Sequence, residues 1–184
     1  MKKQEELALK ILNGGGVIIF PTDTVYGIGC RFTGRDAIDR IHKIKGTPKT
    51  QQFPILVSNA DQVEKLAIVN INARDLIKKY WPGGLTIILS SRHPELVSGS
   101  KKIGFRQPDS TLINNLTENV GPIIGTSANF HGDPTPRSYE ELNPQFIKLA
   151  DFVIKGKCKK GIESTVVDLT TNKIEVLRQG AVKL

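Results

Sequence analysis

The sequence is short of the residues that staple or metallate small domains. Only Cys30 and Cys158 are cysteines among 184 residues. Two thiols make neither a disulfide framework nor a four-ligand zinc site. The histidines His42, His93 and His131 stand far apart in the chain, so free thiols, surface imidazoles and no metal site are expected. Long apolar runs are missing too. The longest hold a few residues, as in Val17–Phe20, far below the roughly 20 that a membrane helix requires. Met1–Lys10 is charged along its length, unlike a signal peptide, and a reducing cytoplasm is the expected compartment. Aromatics are few, with 7 Phe, 3 Tyr and 1 Trp, which leaves little material for stacking nucleic-acid bases. Acidic residues are in deficit: 18 Asp and Glu face 26 Lys and Arg, for a formal charge of +8. A solvated lysine-rich surface explains such a balance, and so do anionic partners such as nucleic acid, nucleotides or acidic substrates.

What is present is ordinary globular material, 39% hydrophobic and 24% charged. A chain of this length is expected to form one domain over residues 1–184, burying roughly 70% of its unfolded surface without staples. Helices are predicted over Gln4–Leu12, Gly34–Lys45, Ala60–Leu66, Asn72–Tyr80, Ser110–Asn119 (capped by Ser110) and Tyr139–Leu149. Trp81-Pro82-Gly83-Gly84 stops the fourth sharply. Strands are predicted at Val17–Phe20, Phe53–Val57, Leu85–Leu89, Ile123–Ile124, Asp151–Ile154, Thr165–Leu169 and Lys173–Leu177. The last two read as a hairpin around Thr170-Thr171-Asn172. The alternation predicts an α/β layered domain, and antiparallel closing strands predict a mixed sheet.

Common catalytic signatures are absent. There is no G-x-x-x-x-G-K-[ST], no G-x-S-x-G and no H-E-x-x-H. Gly27-Ile28-Gly29 opens a G-x-G, but Phe32 stands where the dinucleotide fingerprint needs glycine. What remains is a series of polar segments beside predicted strands and helix ends, where α/β sheets build sites: Pro21–Gly27, Lys43–Lys49, Gly104–Pro108, Gly125–Asn129, Glu163–Thr165 and Leu177–Gly180. They supply hydroxyls, an amide, lysines and arginines, with no nucleophile–histidine pair. That chemistry binds and orients anions and stabilises charge. Singly, each segment reads as well as a turn, a cap or a solvated helix end.

Taken in order, PTDTVYGIG (Pro21–Gly29), KIKGTP (Lys43–Pro48), WPGGLTIIL (Trp81–Leu89), GFRQP (Gly104–Pro108), GTSANFHGDPTP (Gly125–Pro136), ESTVVDL (Glu163–Leu169) and LRQG (Leu177–Gly180) resemble the YrdC/Sua5 family of threonylcarbamoyl-AMP synthases over almost the whole chain. The resemblance implies a twisted open mixed sheet with flanking helices around a concave, positively charged cavity. It implies formation of threonylcarbamoyl-adenylate and pyrophosphate from L-threonine, bicarbonate and ATP with Mg²⁺, for the t6A modification of tRNA. It places Thr24, Arg106 and Ser164 at threonine. It places Lys45, Thr47, Ser127, Asn129, Thr135 and Arg178 at ATP, with Lys45, Arg106 and Arg178 as the catalytic cations. The partners it implies are the small-molecule substrates, a downstream threonylcarbamoyl transferase and tRNA or double-stranded RNA, with no membrane, in a monomer or weak dimer.

The sequence departs from the family pattern at Lys45-Gly46-Thr47, where the K-x-R arginine is replaced by Thr47. It departs again at Gln51-Gln52-Phe53-Pro54, where a small polar residue and Pro-Leu are usual. Three consequences stand open: Lys43 or Lys49 replaces the charge, ATP binds more weakly, or the role has drifted. The competing class is a non-catalytic RNA-binding or ribosome-assembly factor. A hydrogenase-maturation carbamoyl transferase is disfavoured, because the zinc-binding and acylphosphatase-like regions of those proteins have no counterpart here.

Overall fold

The computed structural model describes residues 2–94, 101–171 and 173–184. Its elements in chain order are α1 (Lys2–Asn13), β1 (Ile18–Pro21), β2 (Tyr26–Arg31), α2 (Arg35–Lys45), β3 (Ile55–Leu56), α3 (Ala60–Glu64), β4 (Ala67–Ile68), α4 (Ile71–Tyr80), β5 (Leu85–Ser91), β6 (Lys102–Arg106), α5 (Thr111–Val120), β7 (Ile123–Ser127), α6 (Pro144–Ile147), β8 (Phe152–Val153), β9 (Thr165–Asp168) and β10 (Glu175–Arg178). The strands make one sheet in the order β10-β9-β5-β6-β3-β7-β2-β1-β8, with β4 added to β5. Three neighbouring pairs, β1–β8, β3–β6 and β5–β9, run parallel and the others antiparallel, so the sheet is mixed as expected.

Successive side chains of a strand point to opposite faces, and here they feed two separate cores. Val17, Ile19, Tyr26, Ile28, Cys30, Ile55, Ile87, Phe105, Ile124 and Val167 join a large core that also holds Ala37, Ile41 and Ile44 of α2 and Ala73 of α4. Ile18, Phe20, Leu56 and Ile123 face the other way and pack with Ala8 and Leu12 of α1 and Ile113, Leu116 and Val120 of α5. The smaller core covers only part of its face. On the uncovered remainder the inward positions are Gly27, Thr86, Arg106, Gly125, Ser127 and Val166, all lining a cavity of about 330 Å³. The glycines help shape it. A Cβ on Gly29 would lie 2.0 Å from the Ile124 carbonyl, and one on Gly125 would lie 2.5 Å from Leu56 Cδ1. The rings and branches of Phe20 and Leu56 lie across bare backbone and form one wall.

Most predicted elements are found, with shifted ends. Ser110 caps α5 as expected, its side chain accepting from Ile113 N. Gly46, in the left-handed conformation at φ 66°, ends α2. The β9–β10 hairpin forms; Asn172 of its turn lies outside the described residues. In α1, Ala8 and Leu12 are buried while Leu7 is exposed.

Three readings need correction. The helix over Tyr139–Leu149 shrinks to Pro144–Ile147, capped by Asn143, because proline lacks an N–H and blocks the helix before it. Gly27-Ile28-Gly29 lies inside strand β2, where the sequence pattern predicts no strand. GFRQP begins inside strand β6, which alternates buried Ile103 and Phe105.

Candidate functional site

The loop from β1 to β2 is knotted by hydroxyls. Thr22 Oγ1 donates to the Val25 carbonyl at 2.8 Å and accepts from the Thr24 and Val25 amides. With its one proton so used, Thr22 accepts from the Thr24 hydroxyl at 3.0 Å. Thr24 in turn accepts from Arg106 Nη1 at 2.7 Å. Arg106 leaves the end of β6 and is held on two more sides. Its Nε donates to the Gly83 carbonyl at 3.0 Å, and Nη2 pairs with Asp23 Oδ1. The Trp81–Gly84 turn thus does more than end a helix, because it supplies one acceptor for this arginine.

Arg106 and Asp23 are 7% and 1% exposed, so this ion pair is buried. Burial pulls the Arg106 guanidinium below its ordinary pKa, and Asp23 opposes that pull. Asp23 Oδ2 has no hydrogen-bond partner among the described residues. A guanidinium has five N–H donors. Three are committed here, to Gly83, Thr24 and Asp23, which leaves two.

Across the cavity, Ser164 Oγ lies 2.8 Å from Thr86 Oγ1. Arg178, at the end of edge strand β10, donates from Nε to the Ser164 carbonyl at 3.1 Å and from Nη2 to Ser164 Oγ at 3.2 Å. Its Nη1 meets Glu163 Oε2 at 2.8 Å, and Glu163 Oε1 accepts from the Thr135 hydroxyl at 2.9 Å. Thr135 lines a second, more open cavity of about 540 Å³, which shares Val25 and Glu163 with the first.

The structure therefore brings Thr24, Arg106, Ser127, Ser164 and Arg178 to one cavity and Thr135 to its neighbour. Lys45, Asn129 and Thr47 line neither. Lys45 is buried and donates to the Ser127 carbonyl at 2.6 Å, the Asn129 carbonyl at 2.9 Å and Asn129 Oδ1 at 3.2 Å. It braces the Ser127–Asn129 segment from behind. Thr47 is buried against α2 with its hydroxyl 3.1 Å from His42 Nδ1. His42 stacks on Phe53 with ring centroids 4.3 Å apart, and Phe53 forms part of the cavity wall. Lys49 pairs with Asp39 and Lys43 is exposed; neither lines the main cavity. Replacement of the missing arginine by either lysine thus has no support in this geometry.

Lys45 carries a pH signature. Burial pushes its pKa from 10.5 down to about 8, with Glu163 opposing. The folded value is the lower one, so between about 8 and 10.5 the unfolded chain holds more protons. This group therefore makes stability rise with pH across that window. Urea unfolding of the wild type and of Lys45→Met from pH 7 to 10.5 is expected to show the wild type gaining stability relative to the variant above about 8.

Sequence reasoning passed over Asp23 and Glu163 as individual site residues. The available signal was their position: Asp23 stands between Thr22 and Thr24 after β1, and Glu163 stands before Ser164 at the start of β9, beside strand ends where α/β sheets place polar groups. No three His, Cys, Asp or Glu side chains among the described residues converge where a metal ion could sit. Both cysteines are free, and burial raises both thiol pKa values, Cys30 to about 12. No helix among the described residues is long and apolar enough to cross a membrane.

Comparison with known proteins matches residues 10–180 to the Sua5/YciO/YrdC family model, described as telomere recombination. A Methanocaldococcus jannaschii protein, provisionally named a threonylcarbamoyl-AMP synthase, is 34% identical over 100% of this chain and 88% of its own length. The structure of P. abyssi Sua5 complexed with L-threonine is similar with a TM-score of 0.89 and 32% identity, over 96% of this chain. This chain spans only 54% of that Sua5 chain. The E. coli YciO structure is similar with a TM-score of 0.88 and 29% identity, over 100% of this chain and 92% of YciO.

Proposed function

The chain belongs to the Sua5/YciO/YrdC family, and from that premise we propose that it joins L-threonine, bicarbonate and ATP into threonylcarbamoyl-AMP, releasing pyrophosphate. The observation that carries this reading is the convergence of two hydroxyl–arginine units, Thr24–Arg106 and Ser164–Arg178, on one cavity with Ser127. The threonine complex of the P. abyssi relative supports the amino-acid half of it.

Arg106 keeps two N–H groups for the threonine carboxylate, while Thr24 and Ser164 orient its remaining polar atoms. The neutral threonine amine attacks bicarbonate and water leaves to give the carbamate; attack on carbon dioxide instead gives the same carbamate with loss of one proton from the amine. A carbamate oxygen then attacks the ATP α-phosphorus, and the bond to pyrophosphate breaks. Arg178 and Ser127 bear on the phosphates, where preorganised donors offset the growing negative charge. Lys45 acts from behind by fixing Ser127 and Asn129. Thr47 lines neither cavity, so in this reading Arg178 and Ser127 bear on the phosphates without the charge of the family arginine. Among the described residues no side chains form a cage for a protein-held metal ion, and magnesium belongs here to the ATP phosphates as part of the substrate. The product is a mixed anhydride that water destroys, which favours a walled cavity and direct handover in the cytoplasm to a transferase acting on tRNA.

The test is pyrophosphate release, which is expected to require L-threonine and bicarbonate together. Release that ignores threonine would refute the reading.

A further inference from the structure

Glu163 is the only carboxylate lining the main cavity among the described residues, and it also lines the second cavity. Its two oxygens are gripped from different sides, by the Thr135 hydroxyl at 2.9 Å and by Arg178 Nη1 at 2.8 Å. A hydroxyl and a guanidinium aimed at one oxyanion form the arrangement by which proteins hold phosphate oxygens. Arg178 does not rely on Glu163 for its orientation. Its Nε and Nη2 are fixed independently by the Ser164 carbonyl and hydroxyl. The pair is half open to water, with side chains 45% and 37% exposed, and such pairs are weak. The carboxylate can therefore leave while its seat keeps its shape.

We infer that Glu163 is a built-in oxyanion that fills a phosphate subsite formed by Thr135 and Arg178, so that a nucleotide or pyrophosphate phosphate binds there only by displacing it. The inference rests on the ATP reading above and adds to it the device that sets anion affinity at that site. A ligand phosphate meets two opposing effects at once. It must break the Glu163 contacts, and it then sits beside the carboxylate it displaced. The same negative charge acts on Lys45, whose ammonium it favours. Only a ligand that brings several negative oxygens and further contacts in the main cavity overcomes both effects. The empty site is thereby kept closed to small monoanions.

The experiment is calorimetric binding of ATP and of inorganic pyrophosphate to wild type, Glu163→Gln and Glu163→Ala, with thermal melting to establish that each variant is folded. Glutamine keeps the shape and can still accept from Arg178, while alanine removes the side chain altogether. Both variants are expected to bind both ligands about 1.5-fold to fivefold more tightly, the range set by losing a half-exposed charge pair. Equal or weaker binding by the two variants, with wild-type binding intact, would overturn the inference and leave the ATP reading standing; it would make Glu163 an orienting residue for Arg178. Failure of all three proteins to bind either ligand would overturn the inference together with the reading on which it rests.

Discussion

Arg106→Ala is expected to raise the KM for L-threonine on the order of 100-fold while leaving ATP affinity near wild type. Arg106 is the buried cation of the Thr24 half of the cavity, and truncating one partner of a buried, hydrogen-bonded charge contact costs roughly 2–5 kcal/mol. The same change reduces stability, because Asp23, 1% exposed, is left with an uncompensated charge. Breaking a buried pair in this way costs roughly 3–5 kcal/mol. Urea unfolding separates the two effects. Asp23→Ala alone is expected to destabilise by a similar amount, leaving Arg106 unpaired. Asp23→Ala combined with Arg106→Ala is expected to recover part of the stability and none of the threonine affinity. Arg106→Lys keeps a charge but loses the fork that reaches Thr24, Asp23 and Gly83 together, so its threonine KM is expected to lie near that of alanine. A loss confined to ATP would contradict the placement of threonine at Arg106.

Gly180→Ala is expected to damage both halves of the site together. A Cβ there would lie 2.3 Å from the Glu163 carbonyl oxygen and 2.6 Å from the Ser164 carbonyl carbon and oxygen. All three are backbone atoms, so no side-chain rotation relieves the contact. The Glu163–Ser164 segment must move, and with it the carbonyl and hydroxyl that hold Arg178. The C-terminal segment is tied to the same place by the Gly180 amide to Thr165 Oγ1 at 2.9 Å and the Ala181 amide to the Glu163 carbonyl at 2.9 Å. Overpacking of this kind costs about 1–3 kcal/mol in stability. A displacement near 1 Å in a positioned group can lower turnover on the order of 100-fold. Steady-state kinetics with each substrate varied in turn is expected to show kcat depressed whichever is saturating. A normal kcat would mean that this segment does not fix Arg178.

Much of the fold could be read from the chain because local signals agreed with it. Ser110 before Leu112, Ile113 and Leu116 marks a helix start, and Pro82 after Tyr80 marks a helix end. Strands β2 and β6 were harder. Each carries glycine on the cavity face, at Gly27, Gly29 and Gly104, so the apolar alternation that betrays a strand shows only on the other face. The same economy of side chains hollows the cavity, and what hid the strands from periodicity is what makes the site.

The candidate residues were legible as segments but not as partnerships. Thr24 and Arg106 lie 82 positions apart, and only the sheet order brings β6 within reach of the β1–β2 loop. The burial of Lys45 depends on how α2 ends at Gly46 and on where Ser127 and Asn129 return. The sequence shows a lysine on a basic helix end, and the structure turns it into a brace. Thr47, read as a lost cation, belongs to a packed His42–Phe53 stack. Of the +8 formal charge, Arg106 and Arg178 are the cations that line the main cavity, and each already faces a carboxylate, Asp23 or Glu163.

The most direct measurement is the product itself. Purified protein is incubated with ATP, L-threonine and isotopically labelled bicarbonate, and the quenched mixture is examined by mass spectrometry for threonylcarbamoyl-AMP. The expected result is an adenylate carrying the label in its carbamoyl carbon, formed in step with pyrophosphate and absent when threonine is omitted. A protein that binds ATP and threonine but yields no labelled adenylate would contradict the account.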